Sequence, residues 1–233
     1  NRLHRPAKRK GQAFRLFSME TITSRKNSHV QALRALGRDK AYRREQGLFL
    51  CDGEKLLSEA LANGADIAEI YLRGAKPAGN MPEVPVYSLS EDVFDYVSPL
   101  EHSPGPLFTV RTKPLSESVR PERVIVLENV QDPGNVGTVL RTAAALGTEL
   151  VVLLGDCADP YNPKTVRAAM GALFRQRLWE TDLATLCAKL REWELPLCGA
   201  ALRAESVDVK CVSLCRAAIA VGNEGRGLTD ALL

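Results

Sequence analysis

The chain has 233 residues, 45% apolar and 25% charged, which is enough for one large or two modest hydrophobic cores. No apolar run approaches the roughly 20 residues of a membrane-spanning helix, and the basic N-terminus lacks the apolar stretch of a secretory signal. The composition therefore excludes a membrane protein and a largely disordered one, and it predicts a soluble protein of the bacterial-type cytoplasm or of an organelle.

The net charge of +3 comes from the N-terminus. Residues 1–20 carry six basic side chains and one acidic side chain, whereas residues 122–233 carry 12 basic and 14 acidic ones. A basic arm over residues 1–18 can bind nucleic-acid phosphates. Met19 also resembles a start site, so residues 1–18 are equally compatible with a leader or a remnant of expression. Overall charge is therefore weak evidence for RNA.

The six cysteines form no C-x-x-C pair, and the three histidines lie far from them in the sequence. Zinc sites usually need such clustered ligands. We expect no metal site and reduced, mostly buried thiols.

Residues 19–97 are predicted to form a small α/β domain, because short strands alternate with helices. The predicted helices are 23–37, 54–63 and 91–97, and the predicted strands are 47–51, 68–72 and 84–89. Basic residues cluster after the first helix, and they either contact RNA or form a solvated helix face: Arg34, Arg38, Lys40, Arg43 and Arg44.

Residues 98–121 are rich in proline, serine and glycine, which favours a linker or an edge segment over a helix. A short strand is predicted within this segment, at 107–111.

Residues 122–233 are predicted to form a mainly parallel, doubly wound sheet, because strands and helices alternate at regular spacing. The predicted strands are 123–130, 149–154, 176–179, 196–201 and 217–221, and the predicted helices are 136–147, 164–173 and 182–194. Ligands bind to such sheets beyond the carboxyl ends of the strands, where the motifs of this chain fall.

The first motif, Asn129–Gly147, follows an apolar strand at 124–127 and comprises a tight turn that leads into a helix. Backbone N–H groups and a helix N-terminus then face a ligand. Arg141 is expected about one helical turn past the opening, within reach of that ligand. Asp132 and Asn135 are also ordinary turn residues, and Gly137 can be no more than the relief for a close helix–strand contact.

Two further motifs follow. In Asn162–Phe174, Asn-Pro favours a helix start, and Lys164 and Arg167 lie one turn apart, which suits a phosphate. In Ala218–Leu228, an apolar strand leads into a turn whose glycines allow the backbone to approach a ligand closely.

Together, these motifs resemble the SpoU/TrmH family of RNA ribose 2'-O-methyltransferases in the knotted SPOUT superfamily. The family patterns are N-x-x-D-P-x-N-x-G-x-x-x-R, NPKxVRASMGALF and G-N-E-G-x-G-L. More loosely, the N-terminal half resembles the L30e-like substrate-binding domain of such enzymes, through Ile22, Ser24, Asn27, 43–45, Gly47, Phe49, Asp52, Gly53, Glu54, Leu57, Ala60, Leu61 and Gly64.

The resemblance implies S-adenosylmethionine as cofactor and a homodimer. It implies that Arg141 acts at the reacting hydroxyl, that Asn135 orients the site, and that Glu224 holds Arg or Asn partners across the dimer. The implied cofactor-binding residues are Leu202, Gly222, Asn223 and Gly225, and the implied RNA-binding residues are Arg43, Arg44, Lys164 and Arg167.

The family's third motif, a Ser-Leu-Asn element, is absent from the sequence, which ends at Leu233. The trefoil knot over the cofactor is therefore expected to be incomplete over 122–233, and the sequence is compatible with both an active and an inactive polypeptide. Ribosomal RNA is favoured over transfer RNA as the substrate. The alternatives are an RNA-binding module without catalysis, a tRNA-directed methyltransferase and, least favoured, a nucleotide-dependent enzyme.

Overall fold

The computed structural model describes residues 21–74, 82–113 and 120–233, so the predicted basic arm at 1–18 lies outside the described residues. The described chain forms two five-stranded sheets. The strands of the first sheet and the helices between them are β1 (Thr21–Ile22), α1 (Ser28–Arg38), α2 (Lys40–Gln46), β2 (Leu48–Asp52), α3 (Glu54–Ala62), β3 (Ile67–Arg73), β4 (Val86–Leu89), α4 (Glu91–Val97) and β5 (Leu107–Arg111).

The first sheet has the order β1-β4-β3-β5-β2, with β5 antiparallel to both of its neighbours. Side chains alternate between its two faces, as the pleat requires. Leu50 packs with α1 and α4 on one face, whereas Phe49 and Cys51 pack with α3 on the other.

The structure confirms the strand predicted at 107–111, which is β5, but corrects the extent of the linker. The segment 98–121 is not simply a linker, because β5 lies inside the first sheet, and Leu107 and Phe108 are fully buried. The first domain therefore extends to Arg111. The basic cluster also contains a separate helix, α2, which Asp39 caps by accepting hydrogen bonds from the backbone of Ala41 and Tyr42.

The second sheet is entirely parallel, with the order β8-β7-β6-β10-β9, as the alternation of strands and helices predicts. Helices α5 and α6 pack on one face and α7 on the other. The elements are β6 (Arg123–Glu128), α5 (Pro133–Ala145), β7 (Leu150–Leu154), α6 (Pro163–Ala169), β8 (Leu178–Thr181), α7 (Leu183–Glu192), β9 (Leu197–Gly199) and β10 (Ala217–Val221), with 3-10 turns at Ala172–Phe174 and Val209–Cys211.

The starts of α5 and α6 follow from the same local chemistry. Asp132 and Asn162 are the N-cap residues, and each side chain accepts a hydrogen bond from a backbone N–H of the first turn. Proline follows at the first helical position in both cases, where it lacks only an N–H that would have no helical partner.

Helices α5 and α6 run side by side in the same direction and approach closely at Gly137. A Cβ at Gly137 would lie 2.5 Å from the Cβ of Ala168 and 2.7 Å from the backbone oxygen of Thr165. The glycine therefore relieves a helix–helix contact, and not the helix–strand contact that the sequence suggested.

The two domains share a hydrophobic interface. Phe49 and Phe108 of the first sheet contact Phe174 of the second domain, with ring centroids 6.4 and 6.5 Å apart. Tyr161 lies 4.9 Å from the ring of Phe49. Val166 of α6 belongs to the same buried cluster. The loop before α6 and the 3-10 turn after it are therefore held against the first domain.

Within residues 21–74, 82–113 and 120–233, no helix is long and apolar enough to span a membrane.

We predict that Gly137→Ala destabilises the protein by about 1–3 kcal/mol, because the added methyl group overpacks the contact with α6. A glycine-to-alanine change in an unconstrained helix would instead stabilise by about 1 kcal/mol. Urea unfolding distinguishes the two signs. Thr138→Ala, an exposed position in the same helix, is the matched control and should not be destabilising. Increased stability of Gly137→Ala would contradict the close helix contact.

Candidate active site

Three loops meet at the carboxyl ends of β6, β7 and β10, and Asn129 joins them. Its backbone adopts a left-handed conformation with φ 54°. Its side-chain Oδ1 accepts a hydrogen bond from the backbone N–H of Asp156 at 2.8 Å, and its backbone oxygen accepts one from Nδ2 of Asn223 at 2.9 Å. Gly155 has no Cβ to collide with the Asn129 side chain. One residue therefore fixes the loops after all three strands.

The glycine-rich turn, residues 222–228 after β10, contains three of the four predicted cofactor residues. Asn223 Oδ1 accepts hydrogen bonds from the backbone N–H groups of Gly225 and Arg226 at 3.0 and 3.1 Å. At Gly222, a Cβ would collide with the backbone of Gly227, which only glycine avoids. The turn thus presents main chain at the carboxyl end of β10.

Leu202, the fourth predicted cofactor residue, is fully exposed in the segment after β9. Its side chain does not line a cavity within the described chain. Val221, at the end of β10, also exposes apolar surface. Exposed apolar side chains therefore follow β9 and end β10, the strand that leads into the glycine-rich turn.

The sequence did not single out Glu128, although a carboxylate ending the apolar strand β6 was a signal. Glu128 is 4% exposed. Its two carboxylate oxygens accept hydrogen bonds from the backbone N–H and the hydroxyl of Thr229, at 2.8 and 2.6 Å. These bonds fix the chain that follows the glycine-rich turn beside β6.

The predicted catalytic residues Asn135 and Glu224 are in contact. Asn135 Nδ2 donates to Glu224 Oε1 at 2.8 Å. This contact lies within one chain, whereas the sequence suggested a partner across a dimer. The hydrogen bond from Asn135 holds the pKa of Glu224 below its usual range, so Glu224 is an anion at neutral pH.

Asp132 connects this pair to α6. One carboxylate oxygen accepts from the backbone N–H of Asn135 at 2.9 Å, and the other contacts Lys164 Nζ at 3.2 Å. These contacts, the backbone bond first, lower the pKa of Asp132. The side chains of Lys164, Asp132, Asn135 and Glu224 therefore form a continuous polar row across both helix starts and the glycine-rich turn.

Arg141 lies farther from the loop than the sequence suggested. Helix α5 begins at Pro133, so Arg141 is about 12 Å along the helix, more than two turns from the opening. Its side chain is exposed and donates to the sulfur of Met170 at 3.2 Å. A thioether is a weak acceptor. Within the described ranges no carboxylate pairs with Arg141, so its donors can bind a ligand.

The predicted RNA-binding residues divide into two groups. Lys164, Arg167 and Arg44 are exposed, and Arg44 pairs with Glu180 across the domain interface. Arg43 is 3% exposed and pairs with Asp159 of the second domain. The prediction that Arg43 faces RNA is therefore wrong, because its guanidinium is enclosed between the domains.

No cluster of three or more His, Cys, Asp or Glu residues that could hold a metal ion occurs in the part of the chain that the structure describes.

Comparison with known proteins places these features in a family. Residues 122–233 match the SpoU rRNA Methylase family, and residues 27–107 match the MRM3-like substrate binding domain. A Bacillus subtilis protein named 23S rRNA (guanosine(2553)-2'-O)-methyltransferase is 33% identical, over 92% of this chain and 87% of the relative. The human mitochondrial rRNA methyltransferase 3 is 28% identical, over 76% of this chain and 46% of its own length.

Solved structures agree with this match. The crystal structure of an AdoMet-bound rRNA methyltransferase from Sinorhizobium meliloti has a TM-score of 0.79 and 26% identity, covering 91% of this chain and 84% of that chain. The parallel sheet and the three motifs at its carboxyl edge therefore have a common explanation. The chain belongs to the SpoU rRNA methylase family.

Proposed function

We propose that this protein transfers a methyl group from S-adenosylmethionine to a ribose 2'-hydroxyl of structured RNA, with ribosomal RNA as the substrate. The observation that carries the proposal is the meeting of a glycine-rich turn and the polar row at one edge of the parallel sheet. The Bacillus subtilis relative, named as a 23S rRNA 2'-O-methyltransferase, supports the reaction and the substrate class.

The cofactor side of the site comprises the glycine-rich turn and the exposed apolar side chains after β9 and at the end of β10. Main chain at Gly222–Gly225 and apolar side chains at Val221 and Leu202 suit an adenosyl group, which has a flat apolar ring and a few polar edges. When bound, S-adenosylmethionine supplies an electrophilic methyl group. The AdoMet-bound Sinorhizobium meliloti structure supports this choice of cofactor.

The RNA side comprises the exposed cations of α5 and α6. The planar guanidinium of Arg141 can grip a phosphate next to the target ribose and polarise the 2'-hydroxyl. A guanidinium offers N–H donors and no acceptor, so this role is favoured over that of a simple base. Lys164 and Arg167, which are exposed on α6, add contacts to RNA phosphates. Arg44 extends the basic surface onto the first domain.

Asn135 and Glu224 position the reacting groups. Glu224 accepts from the Asn135 amide, so the amide oxygen of Asn135 points away from Glu224 and can accept a hydrogen bond. We assign Glu224 the role of orienting Asn135, since a carboxylate with a lowered pKa is a weak base.

The homodimer belongs to this proposal and rests on the family resemblance. The relatives include a bacterial and a mitochondrial protein, which fits action in a bacterial cytoplasm or in an organelle.

The function is tested with tritium-labelled S-adenosylmethionine and in vitro transcripts of large-subunit rRNA and of tRNA. We expect label in the rRNA. Label in tRNA alone would favour the tRNA-directed alternative, and cofactor binding or RNA binding without any transfer would favour a non-catalytic module.

Arg141→Ala should lower turnover about 10²–10³-fold, the usual loss when one donor to the reacting group is removed. Stability should be unchanged, because Arg141 is exposed. Arg191→Ala is the matched control, since Arg191 is exposed on α7, on the opposite face of the sheet. Equal turnover in the two variants would remove Arg141 from the mechanism.

Glu224→Gln should retain most activity, whereas Glu224→Ala should lose it, because a glutamine oxygen can still accept from Asn135. Single-turnover rates at saturating cofactor and RNA measure the difference. If the glutamine variant is as slow as the alanine variant, the negative charge of Glu224 is required and the orienting role is wrong.

A further inference from the structure

We propose that Arg43 is a positioning residue, through which the substrate-binding domain sets the geometry of the methyl-transfer loops. The inference rests on the proposed function, because it concerns the same site. Arg43 is the one buried residue of the basic cluster defined above.

The guanidinium of Arg43 makes three hydrogen bonds in an interface with little solvent exposure. Its Nε and Nη2 donate to the same carboxylate oxygen of Asp159, at 2.8 and 2.5 Å, and its Nη1 donates to the backbone oxygen of Leu36 at 2.6 Å. The side chains of Arg43 and Asp159 are only 3% and 9% exposed. Arg43 therefore fastens the end of α1 to the second domain.

Asp159 in turn shapes the loop that begins α6. Its free carboxylate oxygen accepts from the backbone N–H of Tyr161 at 2.9 Å, and its backbone oxygen accepts from the hydroxyl of Thr165 at 2.9 Å and from the backbone N–H of Asn162 at 3.1 Å. Asn162 caps α6. The position of Asp159 thus fixes where α6 starts and where it points.

The start of α6 is joined to the polar row described above. Lys164, two residues after the cap, contacts Asp132, and Asp132 caps α5 beside Asn135. Thr165 packs against Gly137 of α5. A continuous series of direct contacts therefore runs from Arg43 to the Asn135–Glu224 pair. Each link is a hydrogen bond or an ion pair.

Stability alone is a poor explanation for this pair. A buried ion pair loses the hydration of both ions, and well-packed apolar residues often replace it without loss of stability. The same interface already contains the aromatic cluster of Phe49, Tyr161 and Phe174. What the ion pair adds is a fixed direction and register between the domains.

The test uses the full-length double variant Arg43→Met/Asp159→Asn. Asparagine keeps the oxygen that caps Tyr161, and no unpaired charge remains buried, so the variant should fold where Arg43→Met alone could fail. Arg191→Met is the matched control, because Arg191 is exposed on α7, on the face of the second sheet opposite α5 and α6. Two readouts are compared with wild type: amide hydrogen exchange, and kcat with large-subunit rRNA transcript and S-adenosylmethionine.

We expect exchange at the amides of Tyr161, Lys164 and Asn135 to rise roughly tenfold in the double variant, since these loops lose their anchor to the first domain. We expect kcat to fall roughly tenfold, with KM for S-adenosylmethionine unchanged. The Arg191→Met protein should match wild type in both. Unchanged exchange at those amides, or wild-type kcat in the double variant, would overturn the proposal.

The exchange readout needs no catalysis. If the wild-type protein transfers no methyl group, the proposed function fails, while exchange alone still decides whether Arg43 positions the loops.

Discussion

The candidate site depends on how closely α5 can approach α6. At Gly137 the backbone of one helix touches the other, and any side chain there would meet Ala168 and Thr165. Because the helices run parallel, a single close contact aligns residues along both. Asp132 then meets Lys164 at the helix starts, and Arg141 meets Met170 farther along. Gly137 and the small Ala168 of the second motif thus determine the spacing of the functional side chains.

The domain interface provides a second constraint on the same helix. Helix α6 is short, and its flanking residues Tyr161 and Phe174 pack against Phe49 of the first sheet. The helix therefore lies between α5 and the substrate-binding domain. The proposed RNA contact at Arg44 on the first domain is thereby held in fixed register with the proposed methyl-transfer site.

Local sequence rules predicted much of the fold. Alternating strands and helices gave the parallel second sheet, and the Asp132-Pro133 and Asn162-Pro163 pairs marked helix starts through their caps. The three motifs were also expected at one sheet edge, where they lie. Within that edge, the contact between Asn135 and Glu224 joins residues 89 positions apart, and only the folded sheet could specify it.

The errors arose where long-range pairing decides the outcome. Arg43 and Arg44 are neighbours in a basic cluster, but successive helical residues point about 100° apart, so one is buried and the other exposed. The partner of Arg43 lies 116 residues away. Strand β5 was predicted at its observed position, but its place inside the first sheet, between β3 and β2, depends on non-local pairing, so the segment around it was interpreted as a linker or an edge segment. The position of Arg141 was misjudged because α5 begins at Pro133 and not at Val136.

The central claim is that the reacting atom of the RNA is a ribose oxygen. Mass spectrometry of nucleosides, released from large-subunit rRNA after incubation with the protein and S-adenosylmethionine, tests it most directly. We expect a nucleoside in which one methyl group has replaced one hydrogen and the added mass stays with the sugar on fragmentation. A methyl group that stays with the base would contradict it.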